Sequence, residues 1–329
     1  MALNLVTGGC GFIGAHLVRL LRDRGEAVRV LDLRTPNGAI DDVEYRQGSI
    51  TSAHEVKQAV TDCRRVFHLA ALSGLWGRDK RAFLSVNRDG TRNVLEAARR
   101  SKVETVVHTS TESVLIAMGR GRKPQMVNEF TRWTPREMAG AYCRGKYLAE
   151  QEAWLATDQG QRVIIVNPTV PAGPGDHWIT PPTRMMVGFL NGAYPAYLES
   201  TLNVADARDI AYAHWLAAES GQPGQRYILG AHDVDLSRLI KQLGEISGRA
   251  LVRPRFPYHA ALVVGIVSEL LSDWVTRRPP VAPLAGVRLA GVPVRFDNSR
   301  TRQQLGWTPR PLEETLRDAI ADYQQRGLI

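Results

Sequence analysis

Tyr142 and Lys146 stand four residues apart in the segment AGAYCRGKYLAEQEA. On a helix that spacing puts both side chains on one face. A cation beside a phenol favours the phenolate, drawing its pKa from about 10 toward working pH. Such a phenol can take or give the proton of an alcohol, with the ammonium holding neighbouring hydroxyls. Upstream, VVHTSTESV places Thr109, Ser110 and Thr111 where an apolar run ends. Either of the hydroxyls of Ser110 and Thr111 can donate to a reacting oxygen and set it against Tyr142. Strand ends are where open α/β sheets bind ligands, although Ser and Thr are also common there as turn formers.

A second cluster lies in LVTGGCGFIGAHLVRLL, where Gly8, Gly11 and Gly14 stand between an apolar run and a helical pattern. Glycine at these points permits a tight turn, close approach of a diphosphate to the backbone, and close helix–strand packing. The helix start, with Phe12 and Ile13, then offers unpaired N–H groups to phosphate. The next apolar run ends in VLDLR, with Asp32 eighteen residues beyond Gly14. An acid at that spacing accepts hydrogen bonds from the adenosine ribose and repels a 2′-phosphate, so NAD is expected. Arg34 nearby keeps NADP as the alternative.

These groups need a frame. Strand patterns are read at Asn4–Thr7, Ala27–Asp32, Val43–Gln47, Arg65–Ala70, Glu104–Thr109 and Arg162–Val166. Helical patterns are read at Phe12–Arg24, Ala53–Val60, within a long helix at Asn87–Arg99, and at Tyr142–Ala156. Strands alternating with helices imply βαβ units, hence an α/β fold with a doubly wound parallel sheet. The near-continuous apolar runs VRVLDL and VIIVNP suit strands covered on both faces. Prolines crowd the chain from Pro168 to Pro182. That marks a boundary between a nucleotide-binding domain at 1–168 and a smaller α+β substrate domain at 169–329, with some segments expected to return to the sheet.

The 329 residues are 44% hydrophobic and 23% charged, which excludes a disordered chain. Cys10, Cys63 and Cys143 lack metal-ligand spacing, so no zinc ribbon, disulfide scaffold or metal site is expected. With no leader pattern visible, a cytoplasmic location is expected. The net charge of +9 is spread along the chain. Its tightest cluster, Arg120, Arg122 and Lys123, reads as a solvated loop, and nucleic acid is not an expected partner. The apolar stretch YHAALVVGIVSELLSDW is read as a helix packed on the core in preference to one resting on a membrane.

Together these pieces resemble the extended short-chain dehydrogenases/reductases of the NAD-dependent epimerase/dehydratase superfamily. The resemblance is carried by TGGCGFIG, VFHLAA, VNRDGTRNVLEAA, HTSTES, YCRGK, IIVNPTVPAGPGD and DNSRTRQQLGWTPRPLEETLRDAI. Within that superfamily LWGRDKRAF, PGQRYILG and the segment from GDHWITPP to NVADARDIA are most similar to hopanoid-associated sugar epimerases. Dihydroflavonol 4-reductases and 3β-hydroxysteroid dehydrogenases are neighbours. The resemblance implies a Rossmann fold, a catalytic triad of Thr111, Tyr142 and Lys146, and a homodimer formed through the helices at Asn87–Arg99 and Tyr142–Ala156. It places Leu69, Ala70 and Ala71 along the cofactor, Pro168 by the nicotinamide, and Ser49 with Ile50 near adenine, where the family often has an aspartate. Asn87 matches an asparagine that braces the catalytic region. Dehydratases follow the threonine with an Asp-Glu pair; here Glu112 and Ser113 follow, which argues against dehydration.

The expected reaction is NAD-dependent hydride transfer at a carbinol or ketone carbon of a small-molecule substrate. A nucleotide- or lipid-linked sugar epimerase is the leading form. A ketone or aldehyde reductase, or a hydroxysteroid dehydrogenase-like enzyme, is the alternative, and a non-catalytic dinucleotide sensor ranks below both. On the substrate side, Arg184, Arg208, Arg295, Arg300 and Arg302 are candidates to grip a diphosphate or carboxylate. Trp178, Tyr194 and Tyr197 are candidates for an apolar wall.

Overall fold

The computed structural model describes residues 2–119 and 124–329. The basic run at Arg120, Arg122 and Lys123 lies outside the described residues. Among the described residues the strands are β1 (Leu3–Thr7), β2 (Ala27–Asp32), β3 (Val43–Gln47), β4 (Cys63–His68), β5 (Thr105–Thr109), β6 (Gln125–Val127), β7 (Val163–Pro168), β8 (Val170–Ala172), β9 (Thr201–Asp206), β10 (Arg226–Leu229), β11 (His232–Asp235) and β12 (Val294–Phe296). The α-helices are α1 (Phe12–Asp23), α2 (Ala53–Val60), α3 (Ala82–Leu84), α4 (Gly90–Arg100), α5 (Ala141–Asp158), α6 (Pro181–Leu190), α7 (Ala207–Ser220), α8 (Leu236–Ser247), α9 (Tyr258–Leu271), α10 (Leu284–Ala290), α11 (Ser299–Leu305) and α12 (Leu312–Gln325).

Seven of these strands form one parallel sheet in the order β3-β2-β1-β4-β5-β7-β10. Its central strands have no polar face because helices cover both sides. On one side α1 and α7 bring Leu17, Leu21, Ile210 and Ala217 against Val6, Val30, Phe67 and Val107. On the other, α2, α4 and α5 bring Val56, Val94, Leu95 and Ala153 against Leu5, Val66, Val106 and Ile165. Each such branched side chain contributes about 1.5–3 kcal/mol by leaving water. The strand order reverses between β1 and β4, which opens a crevice beyond their carboxyl ends. The glycine turn after β1 and the segment after His68 meet there.

The later residues build a second core. Strands β8, β9 and β11 form a small sheet, and α6, α8 and α12 pack Phe189, Leu190, Leu243, Leu316, Ile320 and Tyr323 against it. Strand β10 and helix α7 return to the main sheet. Strand β12 pairs with β6.

Two expectations need correction. The long helix expected over Asn87–Arg99 is not uniform: a π-helical turn at Ser85–Asp89 precedes α4 and contains Asn87. Helix α5 presses on this segment: a Cβ on Gly145 would stand 2.5 Å from the Phe83 carbonyl oxygen, just before the wider turn. The apolar stretch at 258–274 does form α9, which continues into a π-helical turn at Ser272–Thr276, but it is not packed in the core. Only Ala261 and Gly265 of α9 are buried, and its large side chains face outward. The inner side of this helix is narrow and offers mainly small residues to α10, so its bulky residues have nothing to pack on.

Candidate active site

The turn from β1 into α1 is fixed by steric necessity. Gly8 has φ +74, and a Cβ there would stand 2.6 Å from the Ala70 backbone nitrogen. A Cβ on Gly14 would stand 2.2 Å from the Gly8 carbonyl oxygen. Gly11 is the N-cap of α1 and no side chain caps that helix. The first-turn amides, Phe12 and Ile13 included, are thus left for an anion. At the end of β2, Asp32 accepts the Cys10 N–H on Oδ2 and the Arg34 N–H on Oδ1, both at 3.0 Å. Each carboxylate oxygen retains a lone pair for a hydroxyl donor. An uncapped helix start, a cradle closed to any Cβ and an acid at its rim fit a dinucleotide.

Arg34 is arranged otherwise than a phosphate ligand. Its guanidinium lies 4.1 Å over the Trp178 ring, and the Trp178 indole donates to the Cys10 carbonyl at 2.6 Å. Trp178 thereby belongs to the glycine turn, and Arg34 is held by it. Leu69 and Ala70 are strapped to β1, the Leu69 N–H donating to the Thr7 carbonyl at 3.0 Å and the Ala70 N–H to the Thr7 hydroxyl at 3.3 Å. Ala71 follows directly, half-buried. The Ser49 hydroxyl is engaged with Thr51 at 2.7 Å and its N–H with Glu55 at 2.6 Å. Ile50 is buried against Gly90, so its side chain serves the core and not a ligand. Asn87 does not reach the crevice either: its amide accepts the Leu72 N–H at 2.8 Å and donates to the Leu72 carbonyl at 3.1 Å. It braces the loop after β4.

The acid–base cluster sits at the ends of β5 and β7. The Thr111 hydroxyl accepts the Ser113 N–H, capping the short turn Glu112–Leu115, and lies close enough to the Tyr142 hydroxyl to act on its pKa. Helix α5 carries Tyr142 in its first turn and Lys146 one turn later. The Lys146 ammonium donates to the Thr109 carbonyl. Burial drives the Tyr142 phenol well above its ordinary range, and the neighbouring Thr111 hydroxyl pulls the other way. Lys146 is lowered to about 8, again by burial, with Glu150 opposing. Lys146 is not among the groups that lower Tyr142 here. Desolvation outweighs any help from an ammonium that is turned to a backbone oxygen.

The neighbouring histidines are neutral. Thr91 gives its proton to the Asn87 carbonyl at 2.6 Å, so His68 Nε2 donates to Thr91 and Nδ1 accepts from Thr7. Burial lowers His68 to about 3. His214 donates to the Ile210 carbonyl at 2.7 Å and accepts the Thr109 hydroxyl at 2.8 Å, and burial lowers it to about 4. The two ends of Thr109 are thus fixed, one by Lys146 and one by His214. Ser110 is buried with its hydroxyl unpartnered, and Pro168 closes β7 within the core.

Three residues behind Thr111 were not anticipated. The Asn167 amide donates to the Thr111 carbonyl at 3.0 Å and to the Glu150 carboxylate at 2.7 Å. Arg226, on β10, donates to the other Glu150 oxygen at 2.5 Å. Glu150 and Asn167 are fully buried and Arg226 nearly so. Glu150 was legible as the third member of the 142, 146, 150 face of one helix. Arg226 was not, because its strand joins the sheet from across the fold.

Glu112 follows Thr111 and is close enough to Tyr142 to help raise its pKa. Its Oε2 is sealed from solvent without a partner. Burial, helped by Asp233, raises its carboxyl from 4.5 to about 8. Between those values the unfolded chain ionises while the folded one keeps its proton, so stability falls as pH rises from about 4.5 to about 8. Glu112→Gln should therefore match the wild type in stability near pH 4.5 and exceed it progressively toward pH 8.5, by a few kcal/mol at most. Thermal unfolding of both proteins across that range checks this; a constant offset would contradict it.

The substrate-side candidates do not converge. Arg208 pairs with Asp206 and Asp318, at 2.8 and 2.7 Å. Arg300 donates to Gln225 and lies 4.1 Å over Phe130, while Arg302 donates to Asn298. Arg184 and Arg295 are exposed. Tyr194 and Tyr197 pack on the second core, away from Trp178. A depression of about 490 Å³ lined by Tyr197, Ile240, Lys241 and Arg253 contains none of the catalytic candidates. One side of Tyr142 packs on an apolar cluster that includes Leu115, Ile116, Cys143 and Ala285, with Leu75 at its edge, while Thr111 and Glu112 lie beside its hydroxyl.

A doubly wound sheet with this glycine turn and a Thr–Tyr–Lys cluster defines an extended short-chain dehydrogenase/reductase. The chain belongs to the NAD dependent epimerase/dehydratase family, whose model matches residues 4–230. It is 34% identical to a Synechocystis sp. protein named "Putative dihydroflavonol 4-reductase", over 98% of this chain and 95% of that one. It is 32% identical to sterol demethylase protein B of Methylococcus capsulatus, over 99% of each. The solved structure of gox2253 superposes with a TM-score of 0.84 at 30% identity, over 100% of both chains.

Proposed function

We propose that the chain interconverts an alcohol and a ketone on a predominantly apolar substrate, with NAD as the redox partner. The observation that carries this is the apolar cluster on which Tyr142 packs, in a molecule whose candidate arginines are committed elsewhere or scattered among the described residues. Sterol and flavonol, in the names of the two relatives, are ring compounds of that kind. Asp32 at the rim of the glycine turn supports NAD over NADP.

The nicotinamide, when bound, supplies or takes the hydride. Tyr142 moves the proton at the substrate oxygen, and Thr111, beside it, holds that oxygen in place. Lys146 keeps two N–H donors beyond the one on Thr109, enough to hold ribose hydroxyls and bring positive charge near the phenol. Leu115, Ile116 and Ala285 keep water from the reacting carbon.

The sugar-epimerase reading uses the same residues but needs a diphosphate grip that the arginines do not assemble. Two measurements separate the readings. Purified protein is denatured and any released nucleotide identified; then ring alcohols and ketones, and nucleotide sugars, are assayed for nicotinamide absorbance and product stereochemistry. Net conversion of an apolar alcohol or ketone, coupled to NAD or NADH, is expected. Retained NAD with inversion of a nucleotide sugar and no net redox change would overturn the proposal.

A further inference from the structure

The face of α9 and its π-helical continuation has no counterpart in the reaction. Tyr258–Thr276 is long and apolar enough to cross a membrane by length and composition, yet it is mostly unburied. Val263 is 60% exposed, Leu270 54% and Trp274 79%; Ile266, Val267 and Leu271 are exposed with them. At 3.6 residues per turn these side chains cover about half the circumference. No charged residue interrupts that half. The two acids of the segment, Glu269 and Asp273, point inward: Lys80 donates to both, at 2.7 and 2.8 Å, Trp76 donates to Asp273, and the Leu284 N–H to Glu269. The inner half is thus pinned to the protein, which excludes a spanning helix and leaves one lying flat with its apolar side outward.

Its flanks are cationic. Arg277 and Arg278 follow directly and Arg255 precedes; all three are exposed. Residues 249 to 295 hold seven arginines against those two internally paired acids. A twofold pairing of two copies over this face would bring arginine to arginine at its ends in either orientation, which repels. An anionic bilayer meets both demands, apolar depth for the face and negative charge for its rim.

We propose that α9 and residues 272–276 dock the protein on an anionic membrane surface. One helix, α10, separates this face from the Tyr142 cluster: Ala285 belongs to that cluster, while Val287 and Leu284 lie against Gly265. Docking would hold the catalytic wall within a helix diameter of the lipid.

The test is cosedimentation of the full chain with vesicles of phosphatidylcholine alone or with about a third phosphatidylglycerol, at low and high salt. No substrate is present, so the result is independent of the reaction assigned above. Binding to the anionic vesicles should exceed that to neutral ones by tenfold or more. It should fall about fivefold for each of Arg277→Gln and Arg278→Gln. It should be lost in Val267→Glu/Leu270→Glu, whose exposed positions leave the thermal midpoint unchanged. Trp274→Phe should remove a blue shift of tryptophan emission seen on vesicle addition. Absence of binding, or equal binding to both vesicles, would overturn the proposal. So would a solution dimer that the double glutamate variant splits.

Discussion

Tyr142→Phe is expected to lower turnover by about 10²–10⁴-fold while nucleotide binding and folding persist. Only the hydroxyl that faces Thr111 is removed, and the ring keeps its packing against Phe83 and the apolar cluster. The nucleotide contacts argued from Gly8, Gly14 and Asp32 lie on β1, α1 and β2, so affinity measured by calorimetry should stay within a few fold. Thr111→Val should cost less, about 10²-fold, because it positions the oxygen without moving its proton. Unchanged turnover in Tyr142→Phe would remove the basis for an acid–base role.

Arg226→Met is expected to destabilise the fold by about 3–5 kcal/mol, because it leaves the Glu150 carboxylate buried without its cation. For a chain of this size that is a fall of roughly 4–7 °C in thermal midpoint. The loss should be undone largely by adding Glu150→Leu, since an apolar pair of similar volume needs no compensation. Activity should not return with stability. Glu150 holds Asn167, and Asn167 holds the Thr111 carbonyl, so the double variant keeps a fold but loosens the catalytic threonine. A lowered kcat with little change in KM is the expected signature. If the double variant is as active as the wild type, the chain of contacts is structural only.

The main sheet was readable from sequence because its strands are short apolar runs and its helices have a clear buried face. Four strand–helix alternations and the glycine turn were enough to place the crevice. Two features escaped for physical reasons. Periodicity could not tell a core helix from an exposed one at 258–271, since both are apolar; what differs is the presence of a partner surface, which sequence does not display. The partners of Arg34 and Asn87 were hidden for a similar reason. Arg34 is held by Trp178, far along the chain, and Asn87 by the Leu72 backbone, whose geometry follows from the fold. The Tyr–Lys spacing was visible, but the direction of the ammonium was not, because the Thr109 carbonyl competes for it.

The position of β10 bears on how the chain is made. Strand β7 has β5 on one side and β10 on the other, yet β10 is translated nearly sixty residues after β7. At about 5–20 residues per second the ribosome leaves Val163–Pro168 as an open sheet margin for some seconds. Such a margin, apolar along Val163–Val166, recruits strands from other chains. Arg226 resolves this when it arrives, delivering the missing strand and the counter-charge of Glu150 in one event, so that the sheet is sealed and the catalytic end becomes rigid together.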